Sequence, residues 1–184
     1  MSQLLQDLKS STRPHHDQIE KTIDFLREDM TLDDYKNLLM KFYGFYFTFE
    51  NALKETNLPF DYSLRFKMPH LRNDLENLGM TSSEIEKIPK SKIYFSPRLE
   101  DILGQLYVIE GSTLGGMVLK KHFEKKFSLT SESGLSFFSG YGPETMNFWK
   151  EFQEILIKFS SEKSDPVIID SAKITFRTLE TWMK

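Results

Sequence analysis

Apolar residues recur every three or four positions along almost the whole chain, a period that fits the α-helix and no other regular structure. Leu4, Leu5, Leu8, Thr12, His16 and Ile19 form a first stripe. Leu32, Tyr35, Leu38, Leu39, Phe42, Tyr46, Phe49 and Leu53 form a second, opened by Thr31 and Asp34 at capping-box spacing. Pro69 starts a third, with Leu71, Leu75 and Leu78 on one face and Gly79 as its stop. Ser96 and Pro97 open a longer one. Pro143 precedes Met146, Trp149, Phe152, Leu156 and Phe159, and Asp165 and Pro166 precede Ile169, Ala172, Phe176 and Leu179. Only KIYF, residues 92–95, resembles a strand. No repeat, linker or low-complexity tract interrupts the pattern, so residues 1–184 are expected to form one all-α domain of six to eight helices.

The length of 184 residues is enough for one domain with a substantial core. Lys and Arg number 24 against 27 Asp and Glu, a net charge of −3, which argues against a nucleic-acid partner. There are no cysteines, which removes disulfides, thiolate metal sites and thiol nucleophiles together. No basic-then-apolar leader opens the chain, and no apolar run approaches the ~20 residues that span a bilayer. The expectation is a soluble cytoplasmic protein without a membrane span. Sixteen Phe and seven Tyr would suit a domain enclosing a flat apolar ligand, and would equally suit an aromatic core.

The long helix reads LYVIEGSTLGGMVLKKHF from Leu106 to Phe123, with Gly111, Gly115 and Gly116 in its middle. Each glycine in a helix interior costs about 0.5–1 kcal/mol relative to alanine. Spacings of four and five place the three along one face, where something large and flat can lie against bare backbone. A tight helix–helix crossing would use the same spacing, and both readings stand at this point. Other chemistries lack their parts. GSTLGG has neither Gly-x-Ser-x-Gly nor a strand before it. None of His15, His16, His70 and His122 has a glutamate three residues earlier, as a di-iron bundle requires. No P-loop or dinucleotide fingerprint appears.

In LKSSTRPHHDQIE, Lys9, Arg13, His16 and Glu20 follow spacings of four, three and four and share a helix face. A neutral histidine there can ligate iron, and an acceptor one turn later can fix its tautomer through the other ring nitrogen. Two cations in the preceding turns can meet ligand carboxylates. Pro14 cannot donate to the Ser10 carbonyl, which predicts a kink or a helix start at that point.

Together these two stretches resemble the heme oxygenase family, in its soluble bacterial branch. Weaker echoes are LSFFSGYGPETMNFWKEF (Leu135–Phe152) and AKITF (Ala172–Phe176). The resemblance implies an all-α heme oxygenase-like fold with heme between a proximal N-terminal helix and a kinked, glycine-rich distal helix. It implies cleavage of heme with O2 and electrons from a reductase or ferredoxin-type donor, giving biliverdin, CO and ferrous iron. His16 becomes the iron ligand, with Glu20 one turn on. Lys9 and Arg13 face the heme propionates, with Lys150 and, more weakly, Arg177 as further candidates. Gly111, Ser112, Gly115 and Gly116 join His16 as the catalytic set, and Phe176 lines the pocket. His15 points about 100° away from His16 and is not a ligand. Animal members carry an aspartate where this chain has Ser112, which leaves the proton route open. The expected assembly is a monomer or weak dimer. The alternative is a heme-binding or heme-transfer protein of the same fold without turnover. A thiaminase-like tenant of the fold normally uses a cysteine, which is missing here, and a di-iron tenant lacks its ligands.

Overall fold

The computed structural model describes residues 2–92 and 95–184. Seven α-helices occur among them: α1 (Gln3–Ile23), α2 (Leu32–Lys54), α3 (Met68–Asn77), α4 (Ser82–Glu86), α5 (Leu99–Phe127), α6 (Thr145–Lys158) and α7 (Ser164–Met183). Single 3-10 turns stand at Ser63–Arg65, Phe137–Ser139 and Gly142–Glu144. Local chemistry sets most of the ends. Thr31 and Asp34 form the expected capping box on α2, and Thr81 and Glu84 form a second on α4. Gly79, at φ +85°, supplies the left-handed residue that stops α3.

Two expectations need adjustment, and a third falls partly outside the described residues. α1 neither starts nor breaks at Pro14, which sits inside one helix from Gln3 to Ile23. Packing of α1 along α7 holds both sides of the lost hydrogen bond in place. The N-cap of α5 is Arg98 rather than Ser96. Ser96 still organises that end, accepting from Arg98 N at 3.3 Å and donating to Asp101 Oδ2 at 2.6 Å. The strand-like KIYF segment has Ile93 and Tyr94 outside the described residues, and its flanks Lys92 and Phe95 are not in a strand.

α5 is the central element, packing against α7, α6 and the 3-10 turn at Phe137–Ser139. At 29 residues, with a stretch of mean hydropathy 1.3, it is long and apolar enough to cross a bilayer, contrary to the expectation of no such run. Half of that stretch is buried inside the fold, as befits a core helix. Two glycines outside the predicted site make the closest backbone approaches. A Cβ on Gly104 would meet Ile168 O at 2.2 Å, and one on Gly44 would meet Pro89 O at 2.2 Å. The aromatic wealth goes largely into the core: Tyr35, Phe42, Tyr46, Phe123, Phe127, Phe137 and Phe138 form one connected cluster of ring contacts.

Candidate functional site

His16 sits on the open face of α1 with half of its side chain exposed. Phe176 of α7 meets its ring edge-on, with centroids 6.0 Å apart and planes at 71°. Nδ1 faces Glu20 Oε1 at 3.7 Å, near enough for an ion pair but beyond a hydrogen bond. Nε2 carries no hydrogen bond among the described residues, so one ring nitrogen is oriented toward an acceptor and the other is available. His16, Asp17 and Glu20 present their ligand atoms within 4.8 Å of one another. Arg13 is engaged by Asp17, Nε to Oδ1 at 2.8 Å, with its side chain 70% exposed. It is therefore not a free cation, as the spacing had suggested. Lys9 is exposed.

On α5 the glycines divide by what they face. Gly115 is exposed, and a Cβ there would meet nothing within 4 Å. Gly111 looks toward the Trp149 ring at 3.7 Å. Gly116 is buried, with the Phe138 carbonyl 3.4 Å from a Cβ position. The expected single bare face thus narrows to Gly111, Ser112 and Gly115, and Gly116 belongs to the packing against Phe138. The helix itself runs unbroken through all three glycines. Ser112 is exposed; it donates to Ile109 O at 2.7 Å, and its hydroxyl also interacts with the phenol of Tyr46. Burial raises the Tyr46 phenol, and the Ser112 hydroxyl partly offsets that rise. A further polar contact joins α5 to α1, between Tyr107 and Thr12.

Behind the glycines lies a polar cluster that no motif flagged. Glu110 is fully buried and accepts from Tyr62 Oη at 2.7 Å, Arg65 Nη1 at 2.8 Å and Tyr141 Oη at 2.8 Å. Arg65 continues to Phe148 O at 3.1 Å and to Glu151 Oε2 at 3.0 Å. Glu50, also buried, accepts from the backbone of Lys67 and, at 3.2 Å, of Met68. Burial pushes the Glu50 carboxyl up to about 7 and the Lys67 amine down to about 8. Lys67 Nζ lies 3.6 Å from the Tyr141 ring centroid and has no hydrogen-bond partner among the described residues. No local signal marked this cluster, since Arg65 and Lys67 lie outside the periodic stripes and Glu50 and Glu110 are far from them in sequence.

Two other predicted residues stand apart. Lys150 is exposed on α6. Arg177 lines a surface cleft of about 470 Å³ with Lys92, Ile174, Thr178, Thr181 and Trp182, and neither His16 nor any of the glycines borders it. A second cleft, of about 550 Å³, is lined by Phe60, Leu64, Arg65, Phe148 and Glu151 among others, and it also excludes His16. His70 is bound to Ser136 Oγ at 2.6 Å and His122 is partly buried, so neither competes with His16 as an exposed ligand.

The fold closely follows known structures at low sequence identity. The NO- and CO-bound heme oxygenase of Neisseria meningitidis superposes with a TM-score of 0.78 at 17% identity, covering 100% of this chain and 91% of that one. Heme oxygenase from Leptospira interrogans superposes with a TM-score of 0.74 at 17% identity, covering 99% of this chain and 98% of its own. No curated protein matches by sequence. The family model described as heme oxygenase matches residues 2–184. With that match over nearly its whole length, the chain belongs to the heme oxygenase family.

Proposed function

We propose that this heme-degrading enzyme binds heme through His16 Nε2 and opens the macrocycle with O2 and donated electrons, releasing biliverdin, CO and ferrous iron. The observation that carries the reading is the pairing of a half-exposed imidazole, held by Phe176 and facing Glu20, with a turn of α5 whose Gly115 has open space where a side chain would stand. A flat macrocycle fits against such a backbone, and an imidazole with one free nitrogen fits its iron. Heme supplies the metal at which O2 reacts. The protein's part is binding, orientation and proton supply. Glu20 biases His16 toward the tautomer with Nδ1 protonated. Gly111 and Gly115 leave room beside the reacting edge. Ser112 and Tyr46 place two hydroxyls next to that room, able to hold water or pass a proton in place of the missing carboxylate. Lys9 is an exposed cation for a propionate, and Arg13 can serve once a ligand carboxylate displaces Asp17. The donor is a reductase or ferredoxin-type protein, and the enzyme acts as a soluble cytoplasmic monomer or weak dimer.

The test is an absorption spectrum and product chromatogram after adding heme, ascorbate and O2 to wild type and to His16→Ala. Wild type should lose its Soret band and yield biliverdin. A carrier would keep the band or bleach it without biliverdin, and that result would replace turnover with transport.

A further inference from the structure

Glu110 lies immediately before Gly111, and its carboxylate is held entirely from outside its own helix. The donors are Tyr62 and Arg65, in the connection between α2 and α3, and Tyr141, in the turn before α6. Arg65 extends the hold to α6 through the Phe148 carbonyl and Glu151. Beyond Glu110, the open side of α5 has few side-chain anchors, the contact of Ser112 with the Tyr46 phenol among them. Gly115 meets nothing, Gly111 touches only the Trp149 ring, and Ser112 is exposed. A helix face without side chains has little packing of its own to decide where it stands.

The clamp is a poor device for stability alone. Removing two charges from water costs several kcal/mol each, and apolar residues of similar volume often stabilise a core as well or better. A fully satisfied buried network instead favours one arrangement over close alternatives, because every shifted one leaves a charge unpaired. Here Arg65 bridges Glu110 and Glu151, and Tyr62 and Tyr141 fill the remaining acceptor sites of Glu110.

We infer that Glu110 is a positioning residue: held by Tyr62, Arg65 and Tyr141, it fixes where the glycine-bearing turns of α5 stand over the substrate and so which edge of the macrocycle is opened. The inference rests on the heme-cleaving reading, and its test separates the two. Amide hydrogen exchange on the ligand-free protein needs no heme. Glu110→Gln should speed exchange at residues 109–116 about tenfold or more while leaving residues 99–106 of the same helix and all of α7 unchanged. Tyr141→Phe, which keeps two of the three donors and is the milder variant should Glu110→Gln fail to fold, should give the same pattern more weakly. With heme, ascorbate and O2, both variants should shift the ratio of biliverdin isomers, Glu110→Gln the more. Faster exchange spread evenly over α5 and α7 would mark Glu110 as merely structural and overturn the inference. So would local loosening with an unchanged isomer ratio. A wild type that makes no biliverdin overturns the heme-cleaving reading instead, and the exchange pattern still reports on the clamp.

Discussion

On the proposed reading, a single imidazole decides most of the chemistry. His16 stands out in the sequence because its neighbours at spacings of three and four are chemically unusual together, and helix geometry carries that spacing into space. What the spacing hid is competition, since Asp17 also stands one turn from Arg13 and takes its guanidinium. An exposed pair of this kind contributes only about 0.3–0.5 kcal/mol, so a ligand carboxylate can displace it. Replacing both Lys9 and Arg13 with alanine should therefore weaken heme binding by roughly three- to tenfold, as read by Soret titration. An unchanged affinity would show that neither cation meets a propionate. His16→Ala should do something different in kind. It should abolish biliverdin formation and change the ferric absorption spectrum, while the apolar contacts keep part of the affinity. Wild-type spectra from that variant, with loss in His15→Ala, would move the ligand one residue back.

Along the elements, what was readable is what neighbours in sequence dictate. The Thr31–Asp34 capping box forms because its partners lie three residues apart, and Gly79 stops α3 because its conformation is local. The glycines of α5 could not be sorted that way, since only distant residues distinguish a packing glycine from an open one. Ile168 crowds Gly104, Phe138 crowds Gly116, and nothing crowds Gly115. These contacts predict three separable outcomes in thermal melts and single-turnover yields. Gly104→Ala forces a methyl into the backbone of α7 and should cost about 1–3 kcal/mol of stability. Gly115→Ala should stabilise by about 0.5–1 kcal/mol through helix propensity yet lower the biliverdin yield. Gly116→Val should overpack Phe138 and lower the melting temperature before it affects chemistry. A Gly115→Ala enzyme with full yield would remove that residue from the site.

Across the molecule, the order of the six longer helices was visible in the periodic pattern, whereas α4 and the buried polar cluster were not. Glu110 lies 48 residues from Tyr62, 45 from Arg65 and 31 from Tyr141, so no window of local sequence contains the network. That cluster, and the separate buried carboxyl of Asp74 that accepts from the Ser136 and Phe137 backbone, have a signature in global stability. Burial raises the Glu50 carboxyl from 4.5 to about 7, and it raises Asp74 from 3.8 to about 6. Between the unfolded and folded values, the native chain holds protons that the unfolded chain has released. Stability contributed by these two groups therefore falls as pH rises through roughly 4 to 7. Lys67 does the opposite at higher pH. Its amine is lowered from 10.5 to about 8, so above pH 8 the unfolded chain binds a proton the native chain lacks, and stability rises toward pH 10. His70, lowered by burial, adds a rise on the acid side, and the capping carboxylates Asp34 and Glu84, held low, lose their contribution as pH falls through their folded values. A difference between variants cancels those backgrounds. In urea melts of wild type and Glu50→Gln at pH 5, 7.5 and 10, the wild type should lose about 2–3 kcal/mol relative to the variant between pH 5 and 7.5. The same comparison with Lys67→Met should isolate the alkaline rise. Parallel stability curves for wild type and Glu50→Gln would mean that Glu50 ionises as freely inside the fold as outside it, and that the cluster is open to water.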